Sequence, residues 1–344
     1  MKIKCILLLF IQMAFAYATK SQNINFTQYF NFPLYSDPSQ TGNGNYDYRL
    51  NALYRQQWKS IDAEFSTFAI SGDVRMGNVF STQDSWGFGI YLLDDHLGSD
   101  LMQNQQVGIA LAYHINPDFQ ERHKISFGIN IDYKFSSVDY SSLIFESQYQ
   151  GFLLHPDMSS GESFLNDRIK NLDLGSSISY SFLLNPKTEL GASLASFGFI
   201  PEQENFISES DSSDYKHSEW LARGFYNYRV SSRVRLESHV QVISQSNASE
   251  LMLGVIGHYT PFHLKGVMLS LGLFRQMDVA YVAYAGLSYK NYDINVSYDF
   301  VSQPLNTLRE INGLSRPGGI EVTLSFRGFK VAGSGTRTVP CRFF

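Results

Sequence analysis

Charge is scarce in this chain. Only 17% of its 344 residues are Asp, Glu, Lys or Arg, which is low for a soluble protein. Cysteine is scarcer still, with two in all. Cys5 sits inside an apolar leader, so Cys341 is the one cysteine expected in the mature chain. An internal disulfide and a cysteine-based metal site are thereby excluded. Beyond Lys20 no apolar run reaches the ~18 residues of a transmembrane helix, so a helical span is unavailable. Basic clusters are missing as well, and with a net charge of -5 the chain has no footprint for nucleic acid.

What is plentiful points to sheet. The chain holds 26 Gly, 21 Tyr and 27 Phe, and the aromatics favour strands. Lys2 and Lys4, the apolar run Cys5 to Phe15, and the small residues Ala14, Ala16 and Ala18 read as a secretory signal peptide, residues 1–21. Cleavage after Ala16, Ala18 or Ser21 fits equally well. Residues 22–45 are polar and aromatic and are punctuated by Pro33, Pro38, Gly42 and Gly44. They are too broken for a long element and are expected as a periplasmic lead-in.

From His123 the pattern becomes regular. Ile125, Phe127, Ile129, Ile131, Tyr133 and Phe135 alternate with Ser126, Gly128, Asn130, Asp132, Lys134 and Ser136. A period of two means a strand, and an apolar face backed by Asn, Asp and Lys suits a wall between lipid and a polar interior. The theme recurs along the chain, with Leu172, Leu174, Ile178 and Tyr180 set against Asp173, Gly175, Ser177 and Ser179, and Ile294, Val296 and Tyr298 against Asp293, Asn295, Ser297 and Asp299. Residues 46–329 divide into about 14 strands of roughly ten residues, the length of a tilted transmembrane strand. Residues 330–344 form a tail.

Loop lengths sort by parity. After even-numbered strands the connections are mostly tight, as at Asn116-Pro117-Asp118, Asn185-Pro186, Ser231-Ser232 and Lys290-Asn291. The long connections, 137–170, 199–217 and 301–319, follow odd strands. Outer-membrane barrels join strands by short periplasmic turns and longer outside loops. The expected fold is therefore an all-β, transmembrane antiparallel β-barrel in the outer membrane with both termini periplasmic. Aromatics near strand ends, such as Trp58, Trp86, Tyr113 and Tyr289, fit the interfacial girdles or simply reflect the high β-propensity of aromatic residues.

Catalytic and cofactor motifs are weak. Gly191-Ala192-Ser193-Leu194-Ala195 approximates a nucleophile elbow but lies in a continuous strand pattern, where no strand-to-helix turn is possible. Asp94-Asp95-His96 cannot converge on one ion, because neighbours on extended chain point oppositely. The acidic stretch with Glu202, Glu204, Glu209, Asp211 and Asp214 offers oxygen ligands for calcium or is a solvated loop. No enzyme activity, cofactor or metal is expected. The inward polar set of Arg49, Asn51, Arg55, Asn130, Asp132, Lys134, Asp173, Arg235, Glu237, Asp293 and Asp299 either lines a pore or plugs the lumen.

Four motifs carry a resemblance. Phe26-Thr27-Gln28-Tyr29-Phe30-Asn31-Phe32-Pro33-Leu34, followed by Pro38 and Gly42, resembles the opening of the PorP/SprF family of the type IX secretion system. Tyr54-Arg55-Gln56-Gln57-Trp58 is similar to its Tyr-Arg-x-Gln-Trp. Gly87-Phe88-Gly89 with Asp94 and Gly98 resembles its Gly-x-Gly hairpin, and His123-Lys124-Ile125-Ser126-Phe127-Gly128 its Lys-Leu-Ser-Phe-Gly strand. The usual Asn-Pro-Ala-Tyr is replaced by Asp37-Pro38-Ser39-Gln40. The resemblance implies a non-enzymatic barrel linked to gliding motility, with outer-membrane lipid around it. It implies machine components as partners, among them a periplasmic peptidoglycan-binding protein, and a large surface adhesin or secreted cargo. Phe26, Gln28, Tyr29, Pro33, Pro38, Tyr54, Arg55, Gln57, Trp58, Gly87, Gly89, Asp94 and Gly98 become the candidates for docking a partner.

Overall fold

The computed structural model describes most of residues 25–329, and the longest internal stretches outside the description are 159–166, 201–217 and 302–317. The expected signal peptide, the tail at 330–344 and the acidic stretch from Glu202 to Asp214 lie outside the described residues. Fourteen antiparallel strands close into one barrel. In chain order they are β1 (Tyr48–Gln57), β2 (Phe65–Gly77), β3 (Ser85–Leu97), β4 (Met102–Ile115), β5 (His123–Val138), β6 (Arg168–Asn185), β7 (Thr188–Phe197), β8 (Glu219–Arg229), β9 (Val234–Gln245), β10 (Ala248–Tyr259), β11 (Val267–Gln276), β12 (Ala280–Tyr289), β13 (Tyr292–Val301) and β14 (Gly318–Gly328). Each strand pairs with its sequence neighbours, and β1 meets β14 from Tyr48↔Gly328 to Gln57↔Gly319. A two-stranded hairpin, Tyr149–Gln150 with Leu153–Leu154, lies between β5 and β6.

Alternation sets the two faces. On β5, Phe127, Ile129 and Ile131 are about half exposed, whereas Ser126, Asn130 and Asp132 are 1% exposed. The polar side faces a filled interior and the apolar side faces outward, the reverse of a soluble core. The wall is uneven in height, because β5 and β6 run for 16 and 18 residues while β11 to β13 run for 10. Ser193 lies within β7, as its strand pattern requires.

Closure with an even strand number leaves the start of β1 and the end of β14 at the same rim. No connection at that rim exceeds seven residues, whereas the three long connections all lie at the other. Lys290 takes a left-handed φ of 55° in the two-residue link from β12 to β13. Before β5, the Asp118 carboxylate accepts the amides of His123 at 3.0 Å and Arg122 at 3.1 Å. These bonds hold it below the usual carboxylate range. The rim at the start of β1 is thus a turn rim, and the opposite one, with the long connections, is a loop rim.

One expectation is corrected here. Residues 22–45 were expected as a periplasmic lead-in, yet Phe26, Phe32, Leu34 and Thr41 are buried against inward-facing residues of the wall. The described part of the segment occupies the lumen. Its four aromatic rings at Phe26, Tyr29, Phe30 and Phe32 leave water when they enter the barrel, which favours burial over a solvated lead-in.

Candidate functional site: the luminal segment and its seat

The segment bends where its sequence dictates. Pro33 and Pro38 each begin a single 3-10 turn, Pro33–Tyr35 and Pro38–Gln40, since a fixed φ suits a first turn and the missing N–H is not needed there. Asp37 caps the second turn, accepting the Ser39 amide at 3.2 Å and its hydroxyl at 2.6 Å. Gly42, at a φ of 66°, then redirects the chain toward β1.

Near the loop rim the segment is held by a carboxylate. Glu321 on β14 accepts the backbone amide of Thr27 at 3.0 Å with one oxygen and that of Gln28 at 2.7 Å with the other. The Gln28 side chain donates to Ser297 Oγ at 3.0 Å and to the Glu321 carbonyl at 2.9 Å, and it accepts from Thr323 at 2.9 Å. Arg55 on β1 binds the Asn25 carbonyl and lies 3.3 Å from Asp299 and 3.7 Å from Glu321. One guanidinium and two amides thus compensate two carboxylates that are 4% and 1% exposed. Buried charge demands such partners.

Near the turn rim Asp73 on β2 does the corresponding work. It accepts the Gly42 amide at 2.6 Å, the Tyr46 hydroxyl at 2.9 Å and Arg49 at 2.9 and 3.1 Å. The fully buried His114 reaches the Thr41 carbonyl from Nε2 at 2.8 Å and Ser126 from Nδ1 at 2.8 Å. Nε2 must donate to that carbonyl, so in the neutral ring Nδ1 accepts from the serine. Lys124 contacts Asn43.

Between the two anchors the wall is scooped out. A Cβ on Gly87 would lie 1.9 Å from the Thr41 carbonyl oxygen, and one on Gly128 would lie 2.2 Å from the Ser39 amide. Backbone rests directly on backbone at both positions, which only glycine allows. Ser39 completes this contact by donating its amide to Ser177 at 2.7 Å, and its hydroxyl oxygen, whose proton goes to Asp37, accepts from the Ser179 hydroxyl at 2.9 Å. Two apolar clusters add packing. Phe26, Phe32 and Leu34 meet Leu53, Ala69, Tyr91 and Leu93, while Tyr29 and Phe30 meet Met252, Ile256, Phe274, Val282 and Tyr284. Arg223 stacks 4.4 Å above the Tyr29 ring and donates to the Ser36 carbonyl at 3.3 Å.

The sequence candidates divide cleanly. Phe26, Gln28, Tyr29, Pro33, Pro38, Arg55, Gly87 and Gly89 come together as the segment and its seat, with Gly89 against Leu34. All five candidates within the segment are buried inside the barrel. Tyr54 faces outward at 42% exposure, and Asp94 bonds His96 at 3.0 Å and Gln103 at 2.8 Å beside the loop rim. Gly98 sits at a φ of 64° after β3. Gln57 pairs with Gly319, and Trp58, at a φ of 57°, packs edge-on to Phe65 at 5.1 Å. Sequence reasoning placed Ser177 and Ser179 on a polar strand face without a role, and it did not single out Asp73, His114, Arg223 or Glu321 as site residues. The available signal was the unusual density of small residues on the inward face of β3 to β6.

An outer-membrane barrel whose lumen holds its own amino-terminal segment is the class that this fold and site define. The sequence matches the family described as "Type IX secretion system membrane protein PorP/SprF" over residues 18–315, and the chain belongs to that family. It is thus an outer-membrane β-barrel of the type IX secretion system that works with components of the secretion machinery. No curated protein matches the sequence. Among solved structures, the TodX deltaS2S3 mutant monoaromatic hydrocarbon channel aligns at 10% identity with a TM-score of 0.53, covering 87% of this chain and 94% of that one. The CymD monoaromatic hydrocarbon channel aligns at 9% identity and 0.52, covering 87% and 93%. The Ralstonia pickettii toluene transporter TbuX aligns at 9% and 0.50, covering 87% and 94%. At such identities the likeness is one of fold alone.

Proposed function

We propose that this barrel is a non-enzymatic scaffold of the type IX machine that assists the secretion or surface anchoring of an adhesin or other cargo bearing the C-terminal signal, and through it gliding motility. The observation that carries the reading is the filled lumen. A segment held at one end by Glu321 and Arg55 and at the other by Asp73 and His114 occupies the interior, so the rims and the outer wall are left as working surfaces. Short turns mark the periplasmic rim in barrels of this kind. That rim then meets the periplasmic components, including a peptidoglycan-binding partner, and the long loops meet cargo at the cell surface.

The test compares the surface and secreted proteomes of a strain lacking the gene with those of its parent. Loss of every cargo carrying the C-terminal signal indicates a core role, and loss of one large adhesin indicates a dedicated one. Unchanged export overturns the reading.

A further inference from the structure

The luminal segment has a direction. Its last residue, Asp47, donates its amide to the Gly328 carbonyl at the turn rim, and Asn43 meets Lys124, one residue from the start of β5 at the same rim. Ser39 lies at mid-height against Ser177 and Ser179. Thr27 then binds Asp299 at 3.2 Å, two residues from the loop-rim end of β13. Asn25 donates to Glu250 at 2.8 Å, two residues from the loop-rim end of β10, and receives Arg55, two residues from that end of β1. Read backward from Asp47 to Asn25, the segment thus passes from the turn rim to the loop rim.

We infer that the amino-terminal end of this segment faces the cell exterior, so that the chain crosses the membrane once through its own lumen, from Asn25 near the outer rim to Asp47 at the periplasmic rim. This replaces the expectation that both termini lie in the periplasm. The inference rests on the proposed orientation, with short turns periplasmic. Three features make the direction stable. Glu321 clasps two consecutive amides in one sense of the chain, Gly87 and Gly128 admit backbone only where Thr41 and Ser39 lie, and the covalent link to β1 fixes the other end.

The experiment uses the full chain in its native membrane with Cys341→Ser as background. Single reporters are Asn25→Cys, Ser231→Cys in the link between β8 and β9, and Leu153→Cys between β5 and β6. A membrane-impermeant maleimide is applied to intact cells and again after the outer membrane is permeabilised. Labelling of N25C and L153C on intact cells, with S231C reacting only after permeabilisation, supports the inference. If S231C and L153C behave in that way but N25C reacts only after permeabilisation, the inference is overturned while the orientation stands. If S231C reacts on intact cells and L153C does not, the orientation itself fails and the exterior placement fails with it. An epitope inserted immediately before Asn25 provides a second reporter. Antibody binding to intact cells supports the inference, and binding only after permeabilisation overturns it.

Discussion

Arg55 and Glu321 are register partners across the seam where the first and last strands of the barrel meet, with Nε and Oε2 3.7 Å apart. The same two residues hold the start of the luminal segment, through the Asn25 carbonyl and the amides of Thr27 and Gln28. Closure of the wall and filling of the lumen are therefore coupled.

Replacing Arg55 by leucine strands Asp299 and Glu321 as buried carboxylates without a counter-charge, at an expected cost of about 3–5 kcal/mol. The double variant R55L/E321L is expected to lose less than the sum of the single variants, because it removes one stranded charge together with its partner. Urea unfolding of the detergent-purified protein, followed by its heat-modifiable gel migration, measures both. Full additivity would show that the pair does not act as a unit.

Gly87→Ala places a methyl group against the Thr41 carbonyl, an overpacking expected to cost about 1–3 kcal/mol. Gly77→Ala serves as control, because a Cβ there meets nothing within 4 Å. Limited proteolysis of the segment around Gly42 should quicken in G87A and stay unchanged in G77A. Equal protection in both would contradict the proposed seat.

Ile131 stands at the middle of β5 and is 51% exposed on the outer face. Ile131→Arg puts a charge at the bilayer midplane and should lower stability by about 2–4 kcal/mol. Refolding titrations into phospholipid vesicles test this, and a loss near zero would mean that this face does not meet lipid.

Lys290 is held at a φ of 55°. Lys290→Val forces a β-branched side chain into the left-handed region and should cost about 1–2 kcal/mol, whereas Lys290→Gly should be neutral or stabilising. The same vesicle titration resolves the two. Equal stability of the two variants would contradict the tight turn.

The wall was legible because lipid on one side and a polar interior on the other impose a period of two, and β5 keeps that period from Ile125 to Phe135 without interruption. The count of about 14 strands matches the 14 of the closed barrel. The luminal segment was not legible, because it has no period to read. Its conformation is set by two prolines, one glycine and contacts with distant strands, such as Gln28 with Glu321. The family motifs did mark its pieces. Gly87, Gly89, Arg55 and Gln28 appeared as separate signals in sequence, and only the fold reveals that they share one seat. Glu321 and His114 looked like ordinary members of alternating strands, since their partners lie hundreds of residues away or in a segment assigned elsewhere.

The most direct measurement is single-channel conductance in planar bilayers, comparing the mature full chain with a variant lacking residues 25–42. A lumen occupied by its own segment predicts little or no steady conductance for the full chain and a large ohmic conductance for the deletion variant. A full chain that conducts as freely as the deletion variant would contradict the filled lumen and make an open pore the better description.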